Sequence, residues 1–101
     1  MDIIGAYTSQ LAELAKRHGV VQLDVFGSAA GADFDPSTSD LDFLVVFQET
    51  PPGGMADAYF GLLEDLERLF NRSVDLVTER SIKNPYFRRS VNDSRYSVYV
   101  A

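Results

Sequence analysis

The chain has 101 residues, which is enough for one small domain with its own apolar core. It contains no cysteine and one histidine, so disulfides, thiolate catalysis and multi-histidine metal sites are excluded. Fifteen acidic against nine basic residues leave a net charge of −6, which argues against a surface that binds nucleic acid through basic groups. We therefore expect a single domain over residues 1–101.

The charge is unevenly distributed along the chain. Residues 1–67 hold twelve acids and two bases, a net of −10, whereas residues 68–101 hold three acids and seven bases, a net of +4. Mutual neutralisation of the two parts is the simpler interpretation, and a cation site beside an anion site is the alternative. The sequence shows neither a targeting signal nor an apolar run of ~20 residues, which favours a cytoplasmic protein without a membrane partner.

The first predicted element is a helix over residues 8–18, since leucine and alanine recur there at helical spacing. Thr8 or Ser9 is expected to cap its beginning. His18 and Gly19 fit its end, because a histidine in the last turn favours the helix dipole and a glycine accepts a positive φ. This pattern assigns the histidine to a helix end and not to catalysis.

Two strands are predicted next, Val20–Phe26 and about Leu41–Phe47, the second almost wholly apolar and so expected to be buried on both faces. Residues 29–39 between them are small, acidic and turn-forming. Residues 48–54 after them are interpreted as a connecting loop in preference to a mobile lid.

The second half of the chain predicts a helix over 55–70 with Asn71 as its cap, and a short strand, Val74–Val77. Pro85 then opens a helix through about Val91, and Tyr96–Val100 alternates like a fourth strand. The aromatic residues of this tail are interpreted as packing residues, with a partner or base-stacking surface as the alternative; they are Tyr86, Phe87, Tyr96 and Tyr99. This order predicts an α/β fold, a small mixed sheet of three to four strands with helices packed on it.

Three aspartates stand out against this background. Asp40 and Asp42 are two residues apart at the start of a strand and therefore point to the same side. Asp75 interrupts the next apolar strand and would join them if the two strands pair. Neighbouring carboxylates repel one another, so a cation is expected between them, and an all-oxygen donor set suits Mg²⁺.

Gly27 and Ser28 end the first strand. A glycine there allows a sharp turn and a close backbone approach to a ligand, and a helix beginning at Ser28 would offer free N–H groups to an anion. A triphosphate carried on Mg²⁺ would bridge this turn and the aspartates, with the metals stabilising the attacking and leaving oxygens of an in-line displacement.

Together these segments resemble the nucleotidyltransferase superfamily that shares its palm with DNA polymerase beta. The signature Gly-Ser followed by Asp-x-Asp is matched by Phe26-Gly27-Ser28 and Ser39-Asp40-Leu41-Asp42, and the strand of the third carboxylate by Val74-Asp75-Leu76-Val77. The element order is also that of the superfamily, and the match covers roughly residues 8–80. The chain most resembles the minimal nucleotidyltransferase (MNT) branch, which implies a palm-like fold.

This resemblance implies an Mg²⁺-dependent enzyme that uses ATP. Such minimal proteins are antitoxins of HEPN/MNT toxin–antitoxin pairs, described as transferring AMP to a tyrosine of the HEPN ribonuclease. The residues that it implies are, for two Mg²⁺ ions and catalysis, Asp40, Asp42 and Asp75, the last also as base, and, for the nucleotide, Gly27, Ser28 and Ser39.

The sequence departs from many relatives after its Gly-Ser pair, because Ala29-Ala30-Gly31 lacks the arginine that they carry. Arg80 and Lys83, just beyond the third strand, are candidates to supply the positive charge, and solvated surface positions are an equal alternative.

Two further functions stay open from the sequence. The acidic first two-thirds of the chain could neutralise a basic partner, such as a ribonuclease, by contact alone. Alternatively, the same chemistry could act on a small molecule or on an RNA end, although the net charge disfavours RNA.

Overall fold

A computed structural model describes residues 4–27 and 40–101 of the chain. These residues contain three α-helices and four strands, together with two short 3₁₀ turns at Gly5–Tyr7 and Glu79–Ser81. In chain order the elements are α1 (Thr8–Arg17), β1 (Val20–Phe26), β2 (Leu41–Phe47), α2 (Met55–Phe70), β3 (Val74–Thr78), α3 (Pro85–Ser94) and β4 (Tyr96–Val100).

The four strands form one mixed sheet in the order β3-β2-β1-β4. Strand β1 runs antiparallel to both of its neighbours, whereas β2 and β3 are parallel and are joined through α2. The predicted mixed α/β sheet is therefore confirmed, with β4 as its fourth strand. The two strands that carry the candidate glycine and aspartate motifs, β1 and β2, lie in the middle of the sheet.

Side chains alternate between the two faces of the sheet, and one face carries the main core. This face packs against α1 and α2, whose buried residues include Leu11, Leu62 and Leu66. The sheet contributes the apolar residues Leu23, Val25, Leu41, Phe43, Val45, Val74 and Leu76. Burying such side chains supplies about 1.5–3 kcal/mol each and fixes the register of the strands.

The opposite face carries a smaller apolar cluster, formed by Phe26, Leu44, Ile82 and Val91. Val91 belongs to α3, so this helix covers part of the face. Aspartates occupy other positions of the same face, because each lies between two residues of the main core. We call this face, which carries the aspartates and the smaller cluster, the polar face. The prediction that β2 is buried on both faces holds only in part, since Asp42 and Val46 lie on the polar face and are partly exposed.

The helix ends confirm part of the sequence prediction. His18 ends α1, and its Nε2 lies 2.6 Å from Asp65 Oδ2 on α2. Asn71 ends α2 in the left-handed conformation with φ +52°, as expected of a cap. The predicted N-terminal cap of α1 is wrong, because Tyr7 occupies that position without a side-chain hydrogen bond and Thr8 Oγ1 donates to Gly5 O instead. The preceding 3₁₀ turn already leads the chain into the helix.

Helix α3 begins as predicted and ends later than predicted. Pro85 occupies its first turn, and the Asn84 side chain accepts hydrogen bonds from the two following backbone N–H groups. The helix continues past Val91 to Ser94 before β4 begins. This extra turn carries α3 to the end of β1.

The segment between β2 and α2 is a packed connection. Gln48 donates its backbone N–H to Gly19 O at 2.9 Å, and Pro51 is buried. Gly19 has φ +70°, and a Cβ there would lie 2.8 Å from Pro52 Cδ, so glycine is required. The connection therefore lies at the end of the sheet opposite to Asp42, where a lid could not cover the aspartates. None of the helices in the described ranges has the length and apolarity that a membrane span requires.

Candidate active site

The register of β2 and β3 sets two of the predicted carboxylates side by side. Asp42 is the second residue of β2, and Asp75 is its direct partner in the parallel pairing. Both lie between main-core residues, so both side chains point to the polar face of the sheet. Asp75 is exposed and Asp42 is partly buried. The pairing on which this arrangement depended thus occurs, and it places the two carboxylates side by side on adjacent strands.

The electrostatics of Asp42 reflect this crowding. Burial, followed by the charge and the hydrogen bond of Asp75 and then the charge of Asp40, raises the pKa of Asp42 to about 6. All of these influences disfavour the ionised form. The site therefore concentrates negative charge that a cation would relieve.

Gly27 lies directly against the same carboxylate. Its φ is +71°, and a Cβ built on it would lie 2.5 Å from Asp42 Oδ2. No other residue type fits this turn without displacing Asp42. The backbone N–H of Gly27 donates to Ser94 Oγ at 3.0 Å. The other two predicted nucleotide-binding residues, Ser28 and Ser39, lie outside the described residues.

The donors present fit a hard cation bound together with a substrate. Within residues 4–27 and 40–101, no group of three histidine, cysteine or acidic side chains is arranged to hold a metal ion. Asp42 and Asp75 instead form a neighbouring pair, and Asp40 is exposed and acts on Asp42 through its charge. Mg²⁺ is commonly held by one or two carboxylates, with water and substrate phosphates completing its coordination. The pair matches that pattern.

Arg80 lies at the other end of the sheet from the aspartates. It lines a cavity of about 140 Å³ together with Phe47 and Met55, beyond the far ends of β2 and β3. Phe47 lies five positions after Asp42, which corresponds to roughly 17 Å along a strand. Of the two interpretations of Arg80, the structure therefore favours the exposed surface position over contact with a triphosphate at the aspartates. Lys83 is exposed, and its role stays a prediction.

The sequence analysis missed a buried ion pair on the same face. Asp24, with 2% of its surface exposed, accepts hydrogen bonds from Arg95 Nε at 2.8 Å and from Ser97 Oγ at 2.8 Å. Gln22 Nε2 donates to its two oxygens at 3.0 and 3.1 Å. The available signal was an aspartate between Leu23 and Val25 in a mainly apolar strand, since a buried carboxylate requires a partner.

The glycine turn against Asp42, with Asp75 beside it on a mixed sheet, is the arrangement of a nucleotidyltransferase. Residues 8–98 match the family model described as the nucleotidyltransferase domain, and the chain belongs to this family of enzymes. Within the family, its relatives and structural neighbours place it in the minimal nucleotidyltransferase (MNT) branch.

Known proteins support this assignment from sequence and from structure. The chain is 36% identical over 83 residues to the protein adenylyltransferase MntA of Thermococcus cleftensis, covering 82% of this chain and 80% of that protein. A solved structure provisionally described as a minimal nucleotidyltransferase has 35% identity and a TM-score of 0.73, covering 91% of this chain and 89% of that one.

A more distant structure shares the fold. It contains a tri-AMPylated HEPN toxin of Shewanella oneidensis in complex with an MNT antitoxin. The match has 18% identity and a TM-score of 0.66, and covers 98% of this chain and 74% of the matched chain.

Proposed function

We propose that this chain is a protein adenylyltransferase that acts as an antitoxin, transferring AMP from ATP to a tyrosine of a HEPN-type ribonuclease. The observation that carries the proposal is the pairing of Asp42 with Asp75 beside the Gly27 turn. The adenylyltransferase name of the 36%-identical relative supports the reaction, and the AMPylated toxin bound to an MNT antitoxin of the same fold supports the acceptor class.

The proposed roles are those that the resemblance to the family implies for these residues. Asp40, Asp42 and Asp75 would hold two Mg²⁺ ions, and these would supply positive charge to the phosphate oxygens. Gly27 allows the triphosphate to approach its backbone closely, and Ser28 and Ser39 contribute hydroxyl groups to the nucleotide. Because Asp75 is exposed, its carboxylate is accessible to an acceptor and acts as the base.

The transfer balances as an in-line displacement. The acceptor tyrosine oxygen forms a bond to the α-phosphorus of ATP, and the bond from that phosphorus to the bridging oxygen breaks, so that pyrophosphate leaves. The phenolic proton passes to the Asp75 carboxylate. The cytoplasm, where ATP and Mg²⁺ meet, is the proposed location.

The proposal predicts that radiolabel from α-labelled ATP appears on a tyrosine of a HEPN-type protein that is supplied as the acceptor. Asp42→Asn is expected to reduce labelling at least 100-fold, because it removes a charge that the metals require. The matched control is Asp93→Asn, since Asp93 is exposed on α3. Its labelling should equal that of the unmodified protein.

Other outcomes would favour the remaining functions. If Asp42→Asn still neutralises the ribonuclease while no label is transferred, the chain acts by contact and the proposal is wrong. If label appears on a small molecule or an RNA end and not on the protein, the chemistry stands and the acceptor is different. Mass spectrometry of each acceptor distinguishes these results.

A further inference from the structure

Two adjacent residues at the end of α3 contact β1 at two points. Arg95 Nε donates to Asp24 Oδ2 at 2.8 Å, and the Gly27 N–H donates to Ser94 Oγ at 3.0 Å. Asp24 lies within β1, and Gly27 follows its last residue. The end of α3 is thus attached along the part of the strand that leads into the glycine turn.

The ion pair between Asp24 and Arg95 fixes the position of the neighbouring Ser94. Asp24 is buried, and breaking a buried pair leaves an uncompensated charge, so the two side chains remain together. Arg95 also donates its backbone N–H to Val91 O at 2.8 Å, which keeps it in register with the helix. The residue before it therefore has little freedom to move away from Gly27.

The Ser94 hydroxyl is well suited to accept a hydrogen bond. It donates its own proton within α3, to Ser90 O at 3.2 Å or Val91 O at 3.4 Å. Its oxygen lone pairs then remain for the Gly27 N–H. A helix carbonyl on one side and a strand-end amide on the other hold the hydroxyl in one orientation.

Gly27 is the position where such a bond has consequences. A glycine with φ +71° can reach many other conformations at little cost, and nothing in its own side chain restricts it. Its Cα nevertheless has to stay against Asp42 if one nucleotide is to contact both the turn and the carboxylates. The bond to Ser94 restricts the turn from the opposite side.

We propose that Ser94 is a positioning residue for the nucleotide: its hydroxyl holds the Gly27 turn at a fixed spacing from the Asp42 carboxylate. This inference rests on the proposed function only in that the nucleotide binds at the turn. Preorganised groups bind more tightly because less ordering remains to be done on binding. Ser94 itself need not touch the nucleotide.

The test compares Ser94→Ala with two other variants of α3. Ser90→Ala is the matched control, because Ser90 has the same residue type one turn earlier and is exposed. Ser94→Thr keeps the hydroxyl. Two quantities are measured on each: amide hydrogen exchange of Gly27 by NMR, and the Kd for ATP with Mg²⁺ by calorimetry.

Ser94→Ala is expected to speed the exchange of the Gly27 amide and to raise the nucleotide Kd roughly fivefold, the equivalent of one lost hydrogen bond. Ser90→Ala should change neither quantity, and Ser94→Thr should restore both. A general loss of stability would not produce this pattern, since a thermal melt of each variant reports it separately.

Unchanged Gly27 exchange in Ser94→Ala would overturn the inference, as would faster exchange with an unchanged Kd or an equal effect of Ser90→Ala. An unmodified chain that binds no nucleotide would overturn it as well. No acceptor protein takes part in these measurements. Normal nucleotide binding without AMP transfer would therefore refute the proposed function while leaving this inference standing.

Discussion

Two aspartates on the polar face of the sheet lie in opposite surroundings. Asp24 on β1 is buried and contacts Arg95, Ser97 and the Gln22 amide, all of which can donate to it. Asp42 on β2 is partly exposed, and its described influences, burial and two other carboxylates, all raise its pKa. Burial alone therefore does not identify the functional carboxylate. Among the described residues, Asp42 is the aspartate of this pair without a cationic partner, which makes it the candidate to bind a ligand.

The largest expected effect comes from breaking the buried ion pair between Asp24 and Arg95. Arg95→Ala should lower the free energy of unfolding by about 3–5 kcal/mol, because it leaves the Asp24 charge buried without its cation. Urea denaturation at pH 7 measures this change. The matched control is Arg89→Ala, since Arg89 is exposed on the same helix and should change stability by less than about 0.5 kcal/mol. Equal losses of unfolding free energy in the two variants would show that the ion pair at Asp24 contributes no more to stability than an exposed arginine does.

The same substitution should have opposite signs at the two aspartates. Asp24→Asn is expected to lower the unfolding free energy by about 1–3 kcal/mol, since Arg95 loses a charged partner. Asp42→Asn should raise the melting temperature of the metal-free protein by a few degrees at pH 8, because it removes repulsion with Asp75. Thermal melts of both variants in a chelating buffer test this contrast, and a fall in both would contradict it.

The last effect is a dependence on pH that the raised pKa of Asp42 should produce. Its pKa is raised to about 6 from 3.8, so between these values the folded protein holds a proton that the unfolded chain has lost. The stability that this group contributes is complete below pH 4 and is lost as the pH rises through 6. Melting temperatures from pH 4 to 8 should show this decline in the unmodified protein relative to Asp42→Asn. A constant difference between the melting curves of the unmodified protein and Asp42→Asn over this pH range would contradict the raised pKa.

Binding of Mg²⁺ to the unmodified protein should show the complementary dependence on pH. A proton competes with the cation for Asp42, so affinity should weaken below about pH 6. Titrations at pH 5.5 and 7.5 measure this difference.

The sequence was sufficient for features that depend on local order. The apolar patterns gave the bounds of the first two strands, and the pairing of the second and third strands, which the sequence left as a condition, brings Asp75 beside Asp42. The apolar stripe of residues 55–70 likewise gave the bounds of α2. These features follow from the period of the pattern within one element, or from two strands joined by one helix.

Features that depend on distant pairing were not accessible in this way. Asp24 and Arg95 are 71 residues apart, and their contact requires that β4 pair with β1, for which no local pattern gives a signal. The two interpretations of Arg80 could not be separated without the strand pairing. Arg80 follows β3, so it lies at the end of that strand opposite to Asp75.

The sheet order also has a consequence for how the molecule acquires activity during folding. Strand β1 gains its partner β2 early in the chain, but its other edge is closed only by β4, and Ala101 donates its backbone N–H to Val21 O at 2.9 Å. Closing so long a segment is slow compared with pairing neighbours. Because Ser94, which supports the Gly27 turn, ends the helix just before β4, we expect this turn to be held in place only late in folding.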